Sequence, residues 1–344
     1  MNYAKSANRF APLLGVLYWI MLGVAFAAGS AHAARTDEIN SDPQSFLPSL
    51  YYLRDASARL QLDDVRNHDD PAWQKADSAS LNFGFIEDAL WLKLDLPASD
   101  VVASRLFELA NHKVTQLSVF VIRSQNGQVS LEKSWELNDR MTIQQRPFPN
   151  RNYVFPVDLE PGVDKSIYLR LKNDFPMKVP LHLWSEEQFQ NQGEARALFQ
   201  GTYFGVVIIM ALYNLCIYFF VRDKSYGTYA GFILMLAGYV LVDRGLAVQY
   251  LWPNHPGIDF QMTLVFTALG CAVSVPFTVN FLSLRVNAPA IANAFRYLYG
   301  LWLFIAFVAI VYPASWLIYV VVLVLIPGGT SLMVVGFVMW KKGV

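Results

Sequence analysis

Residues 200–229 read QGTYFGVVIIMALYNLCIYFFVRDKSYGTY. No charge occurs from Gly201 to Phe220, and about 20 apolar residues rising ~1.5 Å each match the hydrocarbon thickness of a bilayer. Arg222 and Lys224 come directly after, with Tyr218, Tyr226 and Tyr229 around the same end. Basic and aromatic residues closing an apolar run mark a membrane interface, so the stretch is read as a membrane-spanning helix. The residues N-terminal to it have the composition of a water-soluble domain. The residues C-terminal to it are mostly apolar.

The 344 residues are 54% hydrophobic and have a formal net charge of zero, which conceals a split. Between Ala34 and Gln200 stand 24 acidic and 18 basic residues, whereas Asp223, Asp243 and Asp259 are the only acids after Gln200. The chain divides into a soluble domain of ordinary size and a membrane domain. Neither half carries a basic stretch of the kind that binds nucleic acid. Cys216 and Cys271 both lie in apolar runs, so the soluble half cannot rest on disulfides; both thiols read as small apolar filler.

Lys5 and Arg9 precede the apolar run Phe10 to Ala28, and Gly29-Ser30-Ala31-His32-Ala33-Ala34 comes next. A basic start, an apolar core and an Ala-x-Ala site read as an export signal over residues 1–33, with an uncleaved anchor as the rival. Either way the next segment is exported, in a bacterium to the periplasm.

Residues 34–185 show short runs of period two. Leu92, Leu94 and Leu96 alternate with Trp91, Lys93 and Asp95; Leu117, Val119 and Val121 share a face; Ile167, Leu169 and Leu171 alternate with Tyr168, Arg170 and Lys172. Similar runs lie at 105–109, 153–157 and 179–184, separated by turn signals at Pro97, Asn126-Gly127, Pro149-Asn150, Pro161-Gly162 and Pro176. Many short alternating strands argue for an antiparallel β-sandwich, and Asn126-Gly127 predicts a tight hairpin. No nucleophile, metal-ligand or hydrolase motif is present. Asp63, Asp64, Asp69 and Asp70 surround His68 and could hold calcium through hard oxygen ligands; a solvated acidic loop is the favoured reading. Trp73, Trp91, Trp135 and Trp184 could stack on a sugar, although a tryptophan on an alternating strand is more often core.

Five apolar segments lie beyond, at about 201–220, 226–241, 260–282, 297–312 and 315–340, after a polar linker at 186–198. The last contains Pro327-Gly328-Gly329 and is read as one long, kinked or tilted helix. Arg222, Lys224, Arg285, Arg296, Lys341 and Lys342 all fall on one side of such a membrane domain, which makes that side cytoplasmic and places the sandwich outside. Polar groups within the spans are few, Asn214 and Asn280 chief among them; interhelical hydrogen bonding is the expected use.

Three stretches carry a resemblance. Leu81-Asn82-Phe83-Gly84-Phe85 with Ala89-Leu90-Trp91-Leu92 resembles the extracellular-domain signature of the bacterial seven-transmembrane receptors with diverse intracellular signalling modules (7TMR-DISM). Leu212-Tyr213-Asn214 with Arg222-Asp223-Lys224-Ser225-Tyr226 resembles that family's first span and first cytoplasmic loop, and residues 245–253, GLAVQYLWP, its second loop. The resemblance implies a periplasmic jelly-roll domain, similar to carbohydrate-binding modules, that senses a ligand, and an all-α polytopic membrane bundle in the inner membrane. The bundle would pass the signal to a cytoplasmic output, commonly a diguanylate cyclase or a histidine kinase. It makes Asn82, Gly84, Trp91 and Trp73 candidates for the ligand site, with support of a strand turn as the favoured role of Asn82 and Gly84. It makes Tyr213, Asn214, Arg222, Asp223 and Tyr226 candidates for relay within the membrane. The sequence departs from the family by showing five spans rather than seven and no output domain, the pattern expected of a fragment of a longer receptor.

The expectation is therefore a non-catalytic sensor that binds a periplasmic ligand, glycan or calcium, contacts lipid, needs no other cofactor, and works with an output domain or partner kinase, with homodimerisation open. The runner-up is a membrane transporter or enzyme with a periplasmic sugar-binding domain. That class needs ionisable residues facing a path through the bundle, and these spans offer almost none.

Overall fold

The computed structural model describes residues 49–342 apart from 67–72, 79, 97, 100 and 175. The export segment and the candidates Asp69 and Asp70 lie outside the described residues. The described residues form two compact units. One falls within Thr36–Arg196 together with Arg244–Gly257, the other within Ala197–Asp243 and Ile258–Val344.

The first unit is a sandwich of two antiparallel sheets. Its strands are β1 (Leu50–Asp55), β2 (Gln74–Lys75), β3 (Ser80–Gly84), β4 (Ala89–Leu96), β5 (Ala103–Leu109), β6 (Gln116–Gln125), β7 (Gln128–Asn138), β8 (Tyr153–Leu159), β9 (Asp164–Lys172) and β10 (Met177–Ser185). The six-stranded sheet runs β2-β1-β4-β9-β6-β7 and the four-stranded sheet β3-β10-β5-β8. The period-two pattern supplies the core, because successive side chains point to opposite faces of a strand. Leu92, Leu94, Leu96, Leu117, Val119, Ile167, Leu169 and Leu171 meet Phe107, Leu109, Phe155, Val179, Leu181 and Leu183 of the opposing sheet in one cluster. The hairpin at Asn126-Gly127 forms as expected, with left-handed φ of 53° and 77° at the two turn residues. β10 pairs with β3 through Met177–Pro180 and with β5 through Leu181–Ser185.

Between β1 and β2 lies a short helix, α1 (Leu62–Arg66). The polar segment at 186–198 is helical. Residues Glu186–Val221 form one 36-residue helix, α2. Ser185 caps it: the Gln188 N–H donates to Ser185 Oγ at 3.2 Å, and the Ser185 N–H donates back to Gln188 Oε1 at 3.0 Å, the reciprocal capping arrangement that fixes a helix start. Glu186 and Glu187 in the first turn add a favourable interaction with the helix dipole.

The second unit contains α2 from Ala197 on, then α3 (Lys224–Asp243), α5 (Asp259–Phe281), α6 (Leu284–Asn287), α7 (Pro289–Val311) and α8 (Leu317–Lys341); α4 (Leu246–Tyr250) lies with the sandwich. Among the described residues five helices are long and apolar enough to cross a membrane, in the order and number the apolar runs indicate. Pro327 sits inside α8 without ending it. Gly238 of α3 leaves no room for a Cβ against the Phe266 ring of α5, which is how small residues let membrane helices approach. Asn214 does not reach another helix as expected; its Nδ2 donates to the Met210 carbonyl of its own helix at 2.8 Å. Thr278 Oγ1 likewise donates to Ser274 O and Ser274 Oγ to Cys271 O. Satisfying these polar groups on the local backbone removes the need for partners across the bundle.

Candidate functional site

The sandwich has two outer faces, and the sequence-derived candidates are divided between them. On the six-stranded sheet the strand registers align one residue from each strand into a transverse row: Lys75, Tyr51, Lys93, Tyr168, Phe120 and Ser134. Lys93 Nζ lies 3.1 Å from Asp95 Oδ2, and Ser166 Oγ donates to Asp95 Oδ1 at 2.6 Å. Burial disfavours the charge on Lys93, but its hydrogen bond to Asp95, with Tyr168 and Tyr51 nearby, more than offsets this and holds the ammonium above its ordinary pKa. Burial pushes the Tyr168 hydroxyl up. Both groups stay protonated at neutral pH; Tyr168 is buried, and Lys93 is the donor the row offers at the surface, beside the ring of Tyr51.

Next to this row Trp91 is fully buried. It stacks on Phe120 with ring centroids 6.3 Å apart, and Trp73 meets Tyr168 edge-on at 6.4 Å. Leu53, Leu60, Leu62, Val65 and Ile122 complete this second apolar cluster, closed by the strap that includes α1. Asp55 anchors the strap. Its carboxylate accepts from the Ser57 N–H at 3.0 Å, the Ser57 hydroxyl at 2.6 Å and the Leu60 N–H at 2.9 Å. Burial alone would raise the Asp55 pKa, yet these hydrogen bonds bring it below its ordinary value. The buried Nε1 of Trp91 and Nε of Arg170 have no hydrogen-bond partner among the described residues. Buried donors ordinarily find an acceptor, so a water or ligand oxygen suits this position. Trp73, partly exposed, and Trp91, fully buried, thus belong to one cluster on the outer face of the six-stranded sheet.

Asn82 and Gly84 are not with them. They end β3, at the edge of the other sheet, where Asn82 Oδ1 accepts from the Gly84 N–H at 3.2 Å and Gly84 takes φ 66°. That conformation is the one glycine adopts at low cost, and opposite it stand Met177 and Lys178 of β10. This geometry closes the strand beside β10. Asp63 and Asp64 open α1, and Asp64 Oδ2 accepts from the Gln61 N–H at 2.8 Å, a helix-start role. No group of three or more potential metal-binding side chains occurs among the described residues.

Trp184, another of the tryptophans that could stack on a sugar, lies on the outer face of the four-stranded sheet and is fully buried. Glu108 is completely buried there, opposite His182 on β10. Its carboxylate accepts from Trp184 Nε1 at 2.7 Å and Asn152 Nδ2 at 2.7 Å, and Arg196 Nη1 lies 3.3 Å away. Trp184, Leu106 and Val154 pack with Phe148 and Phe189. Phe189, Gln192 and Arg196 stand on one face of the first turns of α2, and Gln192 too is buried. The start of α2 is therefore clamped on the sandwich by a charged hydrogen-bond network inside an aromatic frame.

Of the expected membrane relay residues, Arg222, Asp223 and Tyr226 build the turn between α2 and α3, while Asn214 lies within α2. Arg222 adopts φ 59° and donates its N–H to Tyr218 O at 2.8 Å, and Asp223 Oδ1 accepts from the Ser225 N–H at 2.8 Å. The Tyr226 N–H donates to Asp223 O at 3.2 Å. Tyr213 stands apart from this turn, two-thirds exposed on α2.

Comparison with known proteins agrees with this architecture. Residues 47–185 match the profile 7TMR-DISM extracellular 2, and residues 196–344 match 7TM diverse intracellular signalling. No curated protein matches the chain. Among solved structures, TmCBM61 in complex with β-1,4-galactotriose is similar at 11% identity and a TM-score of 0.22, the match covering 42% of this chain and 92% of that one. With both profiles in sequence order over a two-sheet extracellular domain and five apolar helices, the chain belongs to the 7TMR-DISM family of multi-pass membrane sensory receptors.

Proposed function

We propose that this receptor lies in a bacterial inner membrane, senses a carbohydrate in the periplasm with the outer face of its six-stranded sheet, and relays the event to a cytoplasmic diguanylate cyclase or histidine kinase. The observation that carries the reading is the unbroken course of α2 from the Glu108 clamp into the uncharged run Gly201–Phe220. A sandwich and a membrane span that share one continuous helix are mechanically linked, and a ligand acts on such a device only through unequal affinity for its two states. The ligand class is supported by the partly exposed Tyr51 and Lys93 with Asp95 and Ser166 beside them: a ring for the apolar face of a sugar, donors and acceptors for its hydroxyls. Calcium is the second ligand reading, through the acidic segment that begins at Asp63.

The full chain in lipid nanodiscs, melted against a panel of neutral oligosaccharides and separately against calcium chloride, tests this. An oligosaccharide at about 100 times its Kd stabilises the folded state by about 2.7 kcal/mol, and the gain disappears in Lys93→Ala and Tyr51→Ala. Stabilisation by calcium alone, unaffected by either substitution, removes the carbohydrate reading.

A further inference from the structure

The segment Arg244–Gly257 joins α3 to α5 in the chain, yet it is compact with the sandwich and not with those helices. It is not a loose connector. Leu246, Ala247 and Val248 of α4 and Pro256 are buried, Ala247 completely. Gly245 precedes α4 with φ 67°, and a Cβ there would lie 3.0 Å from Cγ of His112. At the far end, a Cβ on Gly257 would lie 3.9 Å from Cγ of Arg140. The connector thus touches two loops at one end of the sandwich, β5–β6 and β7–β8.

The loop that presents His112 is itself fixed to β10. The Ala110 N–H donates to Pro180 O and Asn111 Nδ2 to Lys178 O, both at 2.9 Å, and the Asn111 side chain also accepts from the Lys113 N–H at 2.9 Å. β10 is the strand whose last residue, Ser185, caps α2. One strand therefore holds the start of the first membrane helix and the platform on which the α3–α5 connector rests.

We propose that Arg244–Gly257 is a second mechanical attachment of the sensor, acting in parallel with α2, so that a displacement of β10 reaches the ends of α3 and α5 through His112 and Gly245. This deepens the relay reading above, but its test needs neither ligand nor output and can fail while carbohydrate sensing stands. Amide exchange is followed in the full chain in nanodiscs for wild type, His112→Ala and Gly245→Ala. Exchange in residues 246–250 is expected to rise about tenfold in His112→Ala, together with residues 240–243 and 259–263, while 186–196 keeps wild-type protection. Gly245→Ala adds backbone strain to the clash and gives the larger rise; His112→Ala decides the matter if Gly245→Ala does not fold. Unchanged exchange in 246–250 overturns the attachment. A rise confined to 246–250, with the ends of α3 and α5 unmoved, overturns the coupling.

Discussion

The outer faces of the two sheets are built from similar materials and closed in different ways. On the four-stranded sheet, Glu108, His182 and Trp184 are sealed by the first turns of α2, and Glu108 accepts hydrogen bonds from Trp184 and Asn152 while pairing with Arg196. On the six-stranded sheet, Trp91 is sealed by the strap, but Tyr51, Lys93 and Asp95 beside it stay half-exposed. The difference fits the roles proposed for the two faces. A buried charge is costly unless fully paired, and once paired it resists displacement, which suits a clamp. A half-exposed row of rings and paired charges leaves room for a guest.

Substitutions can break this contrast, beginning with the largest effect. Trp91→Ala empties the space under the strap and should destabilise the sandwich by about 4 kcal/mol in thermal unfolding of the full chain; a much smaller loss would mean that the strap does not rest on this ring. Glu108→Ala leaves the Arg196 charge and the Trp184 and Asn152 donors without their acceptor and should cost about 3 kcal/mol. Glu108→Gln, which retains the side-chain volume and an acceptor for Trp184, should cost less; equal costs would show that the charge alone carries the clamp, and no cost at all for Gln that packing does. Asp55→Asn should cost about 1–2 kcal/mol at neutral pH. Because the folded-state pKa of Asp55 is depressed, that contribution is complete above the ordinary carboxylate pKa of about 3.9 and is lost as pH falls through the folded value. Wild type and variant should therefore converge in stability on acidification below about pH 4. Lys93→Ala should change stability by less than about 0.5 kcal/mol while weakening ligand binding, which is the sharpest separation of the two faces.

Sequence patterning made the sandwich legible because its inner faces are strictly apolar at period two, as in Leu92, Leu94 and Leu96. It made the five spans legible because apolar length alone defines them. The start of α2 was hidden for a physical reason. Its packed face is Phe189, Gln192 and Arg196, two of them polar, and Arg196 finds its partner 88 residues away on β5. Periodicity reports apolar faces and is blind to a polar face satisfied at long range. Ser185-Glu186-Glu187-Gln188 does carry the signal for the helix start, a capping box directly after an alternating strand. Strand phase puts Trp91 on the face opposite Leu92 and Leu94, whereas the arrival of Trp73 in the same cluster and the separation of Asn82 and Gly84 from it depend on non-local packing and on which sheet β3 joins. The docking of Arg244–Gly257 on the sandwich left no trace in composition, since Leu246, Ala247 and Val248 would be equally at home in a bilayer.

The central claim is that the sandwich and α2 move as one device. It is tested most directly by amide exchange over residues 186–196 of the full chain in nanodiscs, with and without a saturating oligosaccharide identified by its thermal shift. The account predicts that the ligand changes exchange in this segment and that Lys93→Ala abolishes the change. A ligand that stabilises the sandwich while exchange across 186–196 remains as in the free protein would contradict it.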